Sequence, residues 1–154
     1  MKEHEYSFNV KDLGPYIDYC KSNNYELIEE NNQTRILYRN TNQTMARITI
    51  KESDNKIRKT LDFKDHILSD EVLIERRESL PLDFKDDKII ESILNFLEYK
   101  KDNTLKRKRI IYKKNEVIFE LDDYEYPEKA YVVAIEGKKD EVDKVYSEIK
   151  NMFD

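Results

Sequence analysis

The sequence predicts an α+β protein in which about eight antiparallel strands form a β-barrel or tunnel with flanking helices. Apolar and polar residues alternate with period two through most of the chain, and three segments have helical spacing instead. Charged residues make up 40% of the chain and apolar residues 38%, so part of the charge is expected to line an interior. A strongly twisted sheet of this many strands protects its edges by closing on itself.

Length and composition limit the classes of protein and site. The 154 residues are close to the usual size of one domain, so residues 1–154 are expected to form a single domain. One cysteine, Cys20, and two histidines exclude an intramolecular disulfide and a structural zinc site, so a bound metal would be a hard cation held by carboxylates. No signal-peptide pattern and no apolar run of about 20 residues occur, so we expect a soluble, cytoplasmic protein without a membrane partner.

The first half of the chain is predicted to be mostly strands. The first strand occupies the nine residues after Met1, and a short helix to about Asn23 follows, because Asp12 can cap it and Pro15 suits its first turn. Residues 25–78 then predict hairpin-linked strands separated by the polar breaks NN, NTN, ESDN and HILSD. These strands are YELIEE, QTRILYR, TMARITIK, KIRKTLDFK and EVLIERRE.

The second half contains two predicted helices and three strands. Asp86 to Asn103 is predicted to be an amphipathic helix that begins with a capping aspartate. Its apolar face would carry Ile89, Ile90, Ile93, Leu94 and Leu97. Two strands flanking a Lys-Asn turn follow, TLKRKRIIYKK and EVIFELDDYE, and KAYVVAIE ends before Gly137. A last helix begins at about Lys139.

Charged residues occur in pairs two positions apart, and such residues share one face of a strand. These pairs are Glu3 with Glu5, Arg76 with Glu78, Arg107 with Arg109, and Glu120 with Asp122. On an outer face they would be ordinary solvated surface. Inside a closed sheet, crowded basic residues require a neutralising anion such as polyphosphate, and crowded carboxylates favour a divalent cation. An inward arrangement therefore indicates a metal-bound polyphosphate.

Seven short motifs follow one another along the chain. They are Glu3-x-Glu5, ARITI with Arg47, LDFK with Lys64, ERRE with Arg76 and Glu78, KRKRIIY with Arg107 and Arg109, ELDDYE with Glu120 and Asp122, and VVAIEG with Glu136. In this order and spacing they resemble the CYTH family, also called triphosphate tunnel metalloenzymes. That family includes class IV adenylate cyclases, thiamine triphosphatases and inorganic triphosphatases.

The resemblance implies a tunnel that binds a small-molecule triphosphate or nucleotide together with Mg²⁺ or Mn²⁺. The implied substrate-binding residues are Arg47, Lys64, Arg76, Arg107 and Arg109. The implied metal-binding residues are Glu3, Glu5, Glu120, Asp122 and Glu136. No catalytic residue is assigned, and the oligomeric state, a homodimer included, is left open.

Three positions depart from the family's motifs. Ser7 replaces a lysine, Thr49 replaces the second arginine of an Arg-x-Arg pair, and Ala134 replaces the first glutamate of a Glu-x-Glu pair. A metal-dependent triphosphatase is favoured, since the sequence displays no base-recognition pocket. The alternatives are a class IV-type adenylate cyclase and a degenerate module that binds nucleotides or polyphosphate without turnover. A purely structural domain would require that the charged ladders face outward.

The KRKR run also permits a second interpretation, a nucleic-acid-binding patch. The chain has a net charge of −5, and alternate residues of a strand divide between two faces. We therefore expect Arg107 and Arg109 to point inward, Lys106 and Lys108 to face solvent, and no nucleic-acid partner.

Overall fold

The computed structural model describes residues 2–41, 44–68 and 73–153. Within these ranges, residues 2, 66–68, 73–76, 152 and 153 are described by their backbone alone. The described residues form nine strands and three helices. In chain order these are β1 (Lys2–Val10), α1 (Gly14–Ser22), β2 (Glu26–Arg39), β3 (Met45–Ser53), β4 (Lys56–Leu68), β5 (Leu73–Glu78), β6 (Leu82–Asp83), α2 (Asp87–Phe96), β7 (Lys100–Lys114), β8 (Val117–Tyr126), β9 (Ala130–Gly137) and α3 (Lys139–Phe153).

Eight of the strands form the predicted antiparallel tunnel. Their order is β3-β2-β7-β8-β9-β1-β5-β4, and β3 also pairs with β4, so each of the eight is hydrogen-bonded to two neighbours. The two-residue strand β6 is added to β4 alone. The sequence-based prediction of an α+β barrel with flanking helices is confirmed.

The two faces of each strand differ in polarity because successive side chains point to opposite sides of the sheet. In β8, Phe119 and Leu121 are completely buried in an apolar cluster, whereas Glu120 and Asp122 line the interior of the barrel. Helices α1 and α3 contribute residues such as Cys20 to the same outer cluster. The main apolar core therefore lies outside the barrel, and the polar residues lie inside it.

A second apolar cluster lies behind β3 and β4. Ala46, Ile48 and Leu61 from these strands pack with Ile90 and Leu94 of α2. The remaining residues of the predicted apolar face, Ile89, Ile93 and Leu97, are exposed. The two outer clusters support opposite parts of the barrel wall.

The predicted break between YELIEE and QTRILYR was wrong, because both segments belong to strand β2. Asn31 and Asn32 continue the hydrogen-bonded ladder opposite Arg109 and Lys108 of β7. A polar pair that would end an isolated strand is accommodated here because the neighbouring strands supply backbone partners.

The helix predicted from Asp86 to Asn103 was too long. Asp86 caps α2 as expected, since its carboxylate accepts hydrogen bonds from two backbone N–H groups of the first turn. The helix ends at Phe96, because Glu98 has a left-handed φ of 64° and the Tyr99 N–H donates to the Leu94 carbonyl. The residues that follow pair with β2 as part of β7.

None of the helices in the described part of the chain is both long and apolar enough to cross a membrane.

Burial in the larger core changes the ionisation of Cys20 and its aromatic neighbours. Cys20 has no exposed surface, and burial raises the pKa of its thiol to about 12. Burial together with the Glu148 carboxylate raises the pKa of Tyr19 to about 12, and burial also raises the pKa of Tyr25. Cys20 is thus a packed core residue rather than an activated thiolate.

We predict that the free energy of unfolding decreases as the pH rises above 9. The Cys20 thiol has an ordinary pKa of 9.0, so the unfolded chain loses this proton while the folded chain retains it until about pH 12. Each such group should destabilise the fold by about 1.4 kcal/mol per pH unit in that interval. Urea denaturation of wild type and Cys20→Ala between pH 8 and pH 10 tests this, and the variant should show the shallower decrease. Identical pH slopes would contradict it.

Candidate active site

A cavity of about 320 Å³ lies inside the barrel. Seven basic and six acidic side chains of the described residues line it, so its charges nearly balance. Of the predicted substrate-binding residues, Arg47, Lys64, Arg107 and Arg109 line the cavity, while the side chain of Arg76 lies outside the described part of the chain. The structure therefore brings four of the predicted basic residues into one space.

Lys106 and Lys108, in contrast, are exposed on the outside of the barrel. The KRKR run is consequently divided between two faces of β7, with Arg107 and Arg109 inside.

Three carboxylates from adjacent strands come together at one wall of the cavity. Glu5 of β1, Glu120 of β8 and Glu136 of β9 each place an oxygen within 4.8 Å of the others. Opposite ligands of an octahedral Mg²⁺ ion lie about 4.2 Å apart, given metal–oxygen distances near 2.1 Å. Small side-chain movements would give this distance, and oxygen donors are what Mg²⁺ and Mn²⁺ prefer. The donor set therefore fits a divalent cation.

The other two predicted metal ligands are placed differently. Asp122 accepts two hydrogen bonds from Arg109, at 2.7 Å from Nε and 2.8 Å from Nη2. Glu3 is not among the residues that line the cavity and lies opposite Arg76 at the end of β1. Three of the five predicted carboxylates thus form a cluster that could bind a metal ion. Asp122 instead binds Arg109.

Arg109 is neutralised by two carboxylates, Asp122 and Glu120. Besides its two bonds to Asp122, its Nη1 donates to Glu120 at 2.9 Å. Burial alone would lower the pKa of this guanidinium, but Glu120 and Asp122 outweigh burial and raise the pKa well above its usual value. Glu120 therefore belongs both to the carboxylate cluster and to the arginine network.

Arg107 is less completely neutralised. Its Nε donates to Gln33 at 3.1 Å and its Nη1 to the Tyr124 hydroxyl at 2.7 Å, while Asp122 lies 3.7 Å from Nη1. Its Nη2 is buried without a hydrogen-bond partner in the described structure. Burial, with a further contribution from Arg109, lowers the pKa of Arg107.

Arg47 lies on a different part of the wall with its own carboxylates. Its guanidinium contacts Asp62 through both Nε and Nη2, and Nη2 lies 3.3 Å from Glu78. Lys64 is in register with Glu78 across β4 and β5. Basic residues therefore line the cavity on β3 and β4 as well as on β7.

The motif departures at Ser7 and Ala134 are directly opposite each other. The two residues are in register between β1 and β9, and both line the cavity. Two of the positions that depart from the motifs of the CYTH family, which the sequence resembles, therefore form one cross-strand pair. Relative to those motifs, the pair lacks one charge of each sign, so neither charge is left unneutralised.

Arg35 is a basic cavity residue that the sequence analysis missed. It is in register with Thr49, and its Nε donates to the Thr49 hydroxyl at 3.1 Å. Arg35 is not part of a pair of charged residues two positions apart, because its neighbours at that spacing are Gln33 and Leu37. Alternation alone, applied to β2 as one strand, would have placed Gln33 and Arg35 on the same inward face.

Three solved structures illustrate the fold that this chain shares. A Hippeastrum protein, provisionally described as an adenylyl cyclase and having a dominant triphosphatase activity, is 14% identical over 97% of this chain and 85% of its own, with a TM-score of 0.66. The Mimivirus capping-enzyme triphosphatase is 14% identical over 99% of this chain and 88% of its own, with a TM-score of 0.58. A chain of the Schizosaccharomyces pombe Mediator head module is 7% identical over 99% of this chain and 94% of its own, with a TM-score of 0.67.

No protein-family model matches the chain, and no curated protein matches it. The chain thus has the tunnel fold of adenylate cyclase-like and triphosphatase proteins, as the resemblance to the CYTH family implied. Identities this low show the fold, and a fold by itself does not fix an activity. The activity therefore depends on the side chains inside the tunnel.

The buried network around Asp122 generates a stability prediction. Asp122→Asn removes the charge that neutralises Arg109 and partly neutralises Arg107, and should lower the free energy of unfolding by about 3–5 kcal/mol. The matched control is Asp123→Asn, because Asp123 is on the opposite face of β8 and pairs with the exposed Lys129. That change should cost about 0–1 kcal/mol. Urea denaturation compares the two, and equal losses would contradict the proposed network.

Proposed function

We propose that this chain binds a triphosphate compound in the tunnel together with a divalent cation and hydrolyses its terminal phosphoanhydride. One observation carries the proposal: basic side chains of β2, β3, β4 and β7 and the carboxylates of β1, β8 and β9 line the same cavity. Phosphoryl transfer requires mainly positioning and charge stabilisation from the protein, and both kinds of group are available here.

Glu5, Glu120 and Glu136 would hold Mg²⁺ or Mn²⁺. Such an ion neutralises charge on phosphate oxygens and activates and orients a water molecule. Asp122 keeps Arg109 charged and correctly oriented beside this cluster, so that Arg109 can bind a phosphate oxygen.

Arg47, Lys64, Arg107 and Arg109 would bind the oxygens of the triphosphate from the other walls. As part of this proposal, Arg76 would bind the substrate and Glu3 would bind metal, as the motifs ERRE and Glu3-x-Glu5 imply.

Charge balance supports a strict requirement for metal. Seven basic and six acidic lining residues give the described lining a net charge of +1, and one divalent ion raises it to +3. A triphosphate carries several negative charges, so the ion improves complementarity as well as relieving repulsion among the three glutamates. We therefore expect weak triphosphate binding without a divalent cation.

The volume and the lining of the cavity favour hydrolysis over nucleotide cyclisation. Its volume of about 320 Å³ is at the lower end of the roughly 300–1,000 Å³ typical of small-molecule sites, which suits a compact triphosphate group. Among the described lining residues the single aromatic ring is that of Tyr124, and the Arg107 guanidinium already lies over it, 5.5 Å from the ring centroid. A base-stacking site is not part of this lining, although cyclisation remains the alternative reaction.

The paired loss at Ser7 and Ala134 favours a second candidate, a tunnel that binds nucleotides or polyphosphate without turnover. The basic residues are largely retained, whereas the carboxylate that would extend the metal cluster from position 134 is replaced by a methyl group. This change affects catalysis more than binding, so kinetic and binding measurements distinguish the two candidates.

The central prediction is slow hydrolysis of tripolyphosphate that requires Mg²⁺ or Mn²⁺ and stops on chelation with EDTA. Glu136→Gln removes one ligand charge from the cluster and should lower kcat by about 100-fold or more, by analogy with loss of one positioned electrostatic group. Glu128→Gln, a change at an exposed carboxylate between β8 and β9, is the matched control and should have no effect. Phosphate release measures the rate, and fast turnover in EDTA would contradict the metal-dependent mechanism.

Assays with ATP distinguish the reactions. Release of phosphate supports hydrolysis, whereas equal amounts of pyrophosphate and cyclic AMP would replace it with cyclisation.

Restoring the lost charge pair provides a further prediction. Positions 7 and 134 face each other across β1 and β9, so the double variant Ser7→Lys with Ala134→Glu should be more stable than the sum of the single changes predicts. The double variant should also hydrolyse tripolyphosphate faster than wild type, because the introduced carboxylate would join the carboxylate cluster. Thermal denaturation and phosphate release test the two parts. Triphosphate binding without turnover in both proteins would establish the non-catalytic candidate instead.

A further inference from the structure

Arg35 differs from the cavity's other arginines in its partners. Arg47 and Arg109 each contact two carboxylates. Arg58 contacts one, and Arg107 lies 3.7 Å from one. The guanidinium of Arg35 makes no ion pair with a carboxylate of the described residues, and its hydrogen bond goes to the neutral hydroxyl of Thr49. Arg35 therefore brings a positive charge into the cavity without local compensation.

Two further donors near Arg35 lack partners. Gln33 is on the same inward face of β2 and is in register with Arg107 of β7. Gln33 and Arg107 are 3% and 5% exposed, and the Gln33 Nε2 and Arg107 Nη2 atoms have no hydrogen-bond partner in the described structure. Buried donors are rarely left without an acceptor, because each costs free energy comparable to a lost hydrogen bond.

We infer that Arg35, Gln33 and Arg107 form a phosphoryl-binding subsite in which Arg35 supplies, from β2, the charge missing at position 49. The inference rests on the proposed function, since it assumes that the tunnel binds a polyphosphate. A phosphoryl group offers several anionic acceptor oxygens, which match one unneutralised guanidinium and two unpaired donors. Thr49 acts as a positioning residue, because its hydroxyl accepts from Nε and leaves the other two guanidinium nitrogens of Arg35 available to a ligand.

The register explains how one cation can replace the other. Residues 35 and 49 are directly opposite each other in neighbouring antiparallel strands, and both line the cavity. Side chains at such positions start about 5 Å apart, which is less than the length of an arginine side chain. An arginine at 35 can therefore reach the same part of the cavity as an arginine at 49.

The stability of the protein without ligand provides a second test of the inference, independent of the binding measurement. Burial and the neighbouring Arg107, Arg47 and Arg109 lower the pKa of Arg35 well below its usual value, although Glu120 acts in the opposite direction. The folded chain without ligand thus disfavours this charge, and a bound anion would relieve the repulsion. Replacing Arg35 by an uncharged residue should consequently leave the unliganded protein as stable as wild type or more stable.

The test compares Arg35→Met with Arg39→Met. Both changes remove an arginine of β2, but Arg39 is exposed and pairs with Asp102 outside the cavity. Isothermal titration calorimetry with sodium tripolyphosphate and Mg²⁺ should show about 10- to 100-fold weaker binding for Arg35→Met, as expected for one charge-assisted contact. Arg39→Met should bind like wild type. In thermal denaturation without ligand, the melting temperature of Arg35→Met should be equal to or above that of wild type.

A double variant, Arg35→Met with Thr49→Arg, returns the charge to β3 and should regain most of the lost affinity. Unchanged binding by Arg35→Met, or no recovery in the double variant, would overturn the inference while leaving the proposed function intact. A large fall in the melting temperature or failure of Arg35→Met to fold would also overturn it, since that result would show a structural role. If wild type itself does not bind tripolyphosphate with Mg²⁺, the proposed function fails, and the subsite fails with it.

Discussion

Charges inside a narrow barrel are neutralised mainly by groups within reach, because the surrounding protein screens them less than bulk water does. This constraint accounts for the arrangement of the cavity more directly than any single motif. Arg109 and Arg47 are each held by two carboxylates, and these ion pairs fix the side chains without help from a ligand. The cavity is therefore partly organised before anything binds.

The cavity also contains a carboxylate cluster and a separate group of incompletely neutralised cations, and Glu120 belongs to that cluster while also contacting Arg109. Glu5, Glu120 and Glu136 concentrate negative charge on one wall, and Arg35 and Arg107 leave positive charge and an unpaired donor on another. A cation and a polyanion that bind together satisfy both walls at once. For the proposed function, this separation of charge is the physical reason to expect that metal and triphosphate bind as linked ligands rather than independently.

The sequence predicted the parts of the site that depend on alternation within one strand. The two-residue period placed Arg107 with Arg109, and Glu120 with Asp122, on shared faces, and the resemblance to the CYTH family implied that these faces point inward. The cavity contains all four residues. The register between neighbouring strands could not be derived from the sequence. The engagement of Asp122 by Arg109, the facing positions of Ser7 and Ala134 and the contact between Arg35 and Thr49 all depend on register.

Element boundaries show the same division between local and non-local information. The caps and apolar periodicity correctly indicated where α2 begins, but its end depends on the chain turning at Glu98 to pair with β2. Likewise, the polar Asn31-Asn32 pair suggested a turn that the neighbouring strands prevent. These outcomes depended more on the hydrogen-bond partners that the closed sheet supplies than on local propensity.

The two apolar clusters outside the barrel support different walls of the cavity. One lies behind β7, β8 and β9 with α1 and α3, and the other lies behind β3 and β4 with α2. Repacking the smaller cluster would shift the wall that carries Arg47, while Glu120 and Glu136 would keep their own support. The spacing between the cations and the carboxylates of the cavity is thus adjustable from outside it, since substitutions in an apolar cluster can move a wall without replacing any residue that lines the cavity.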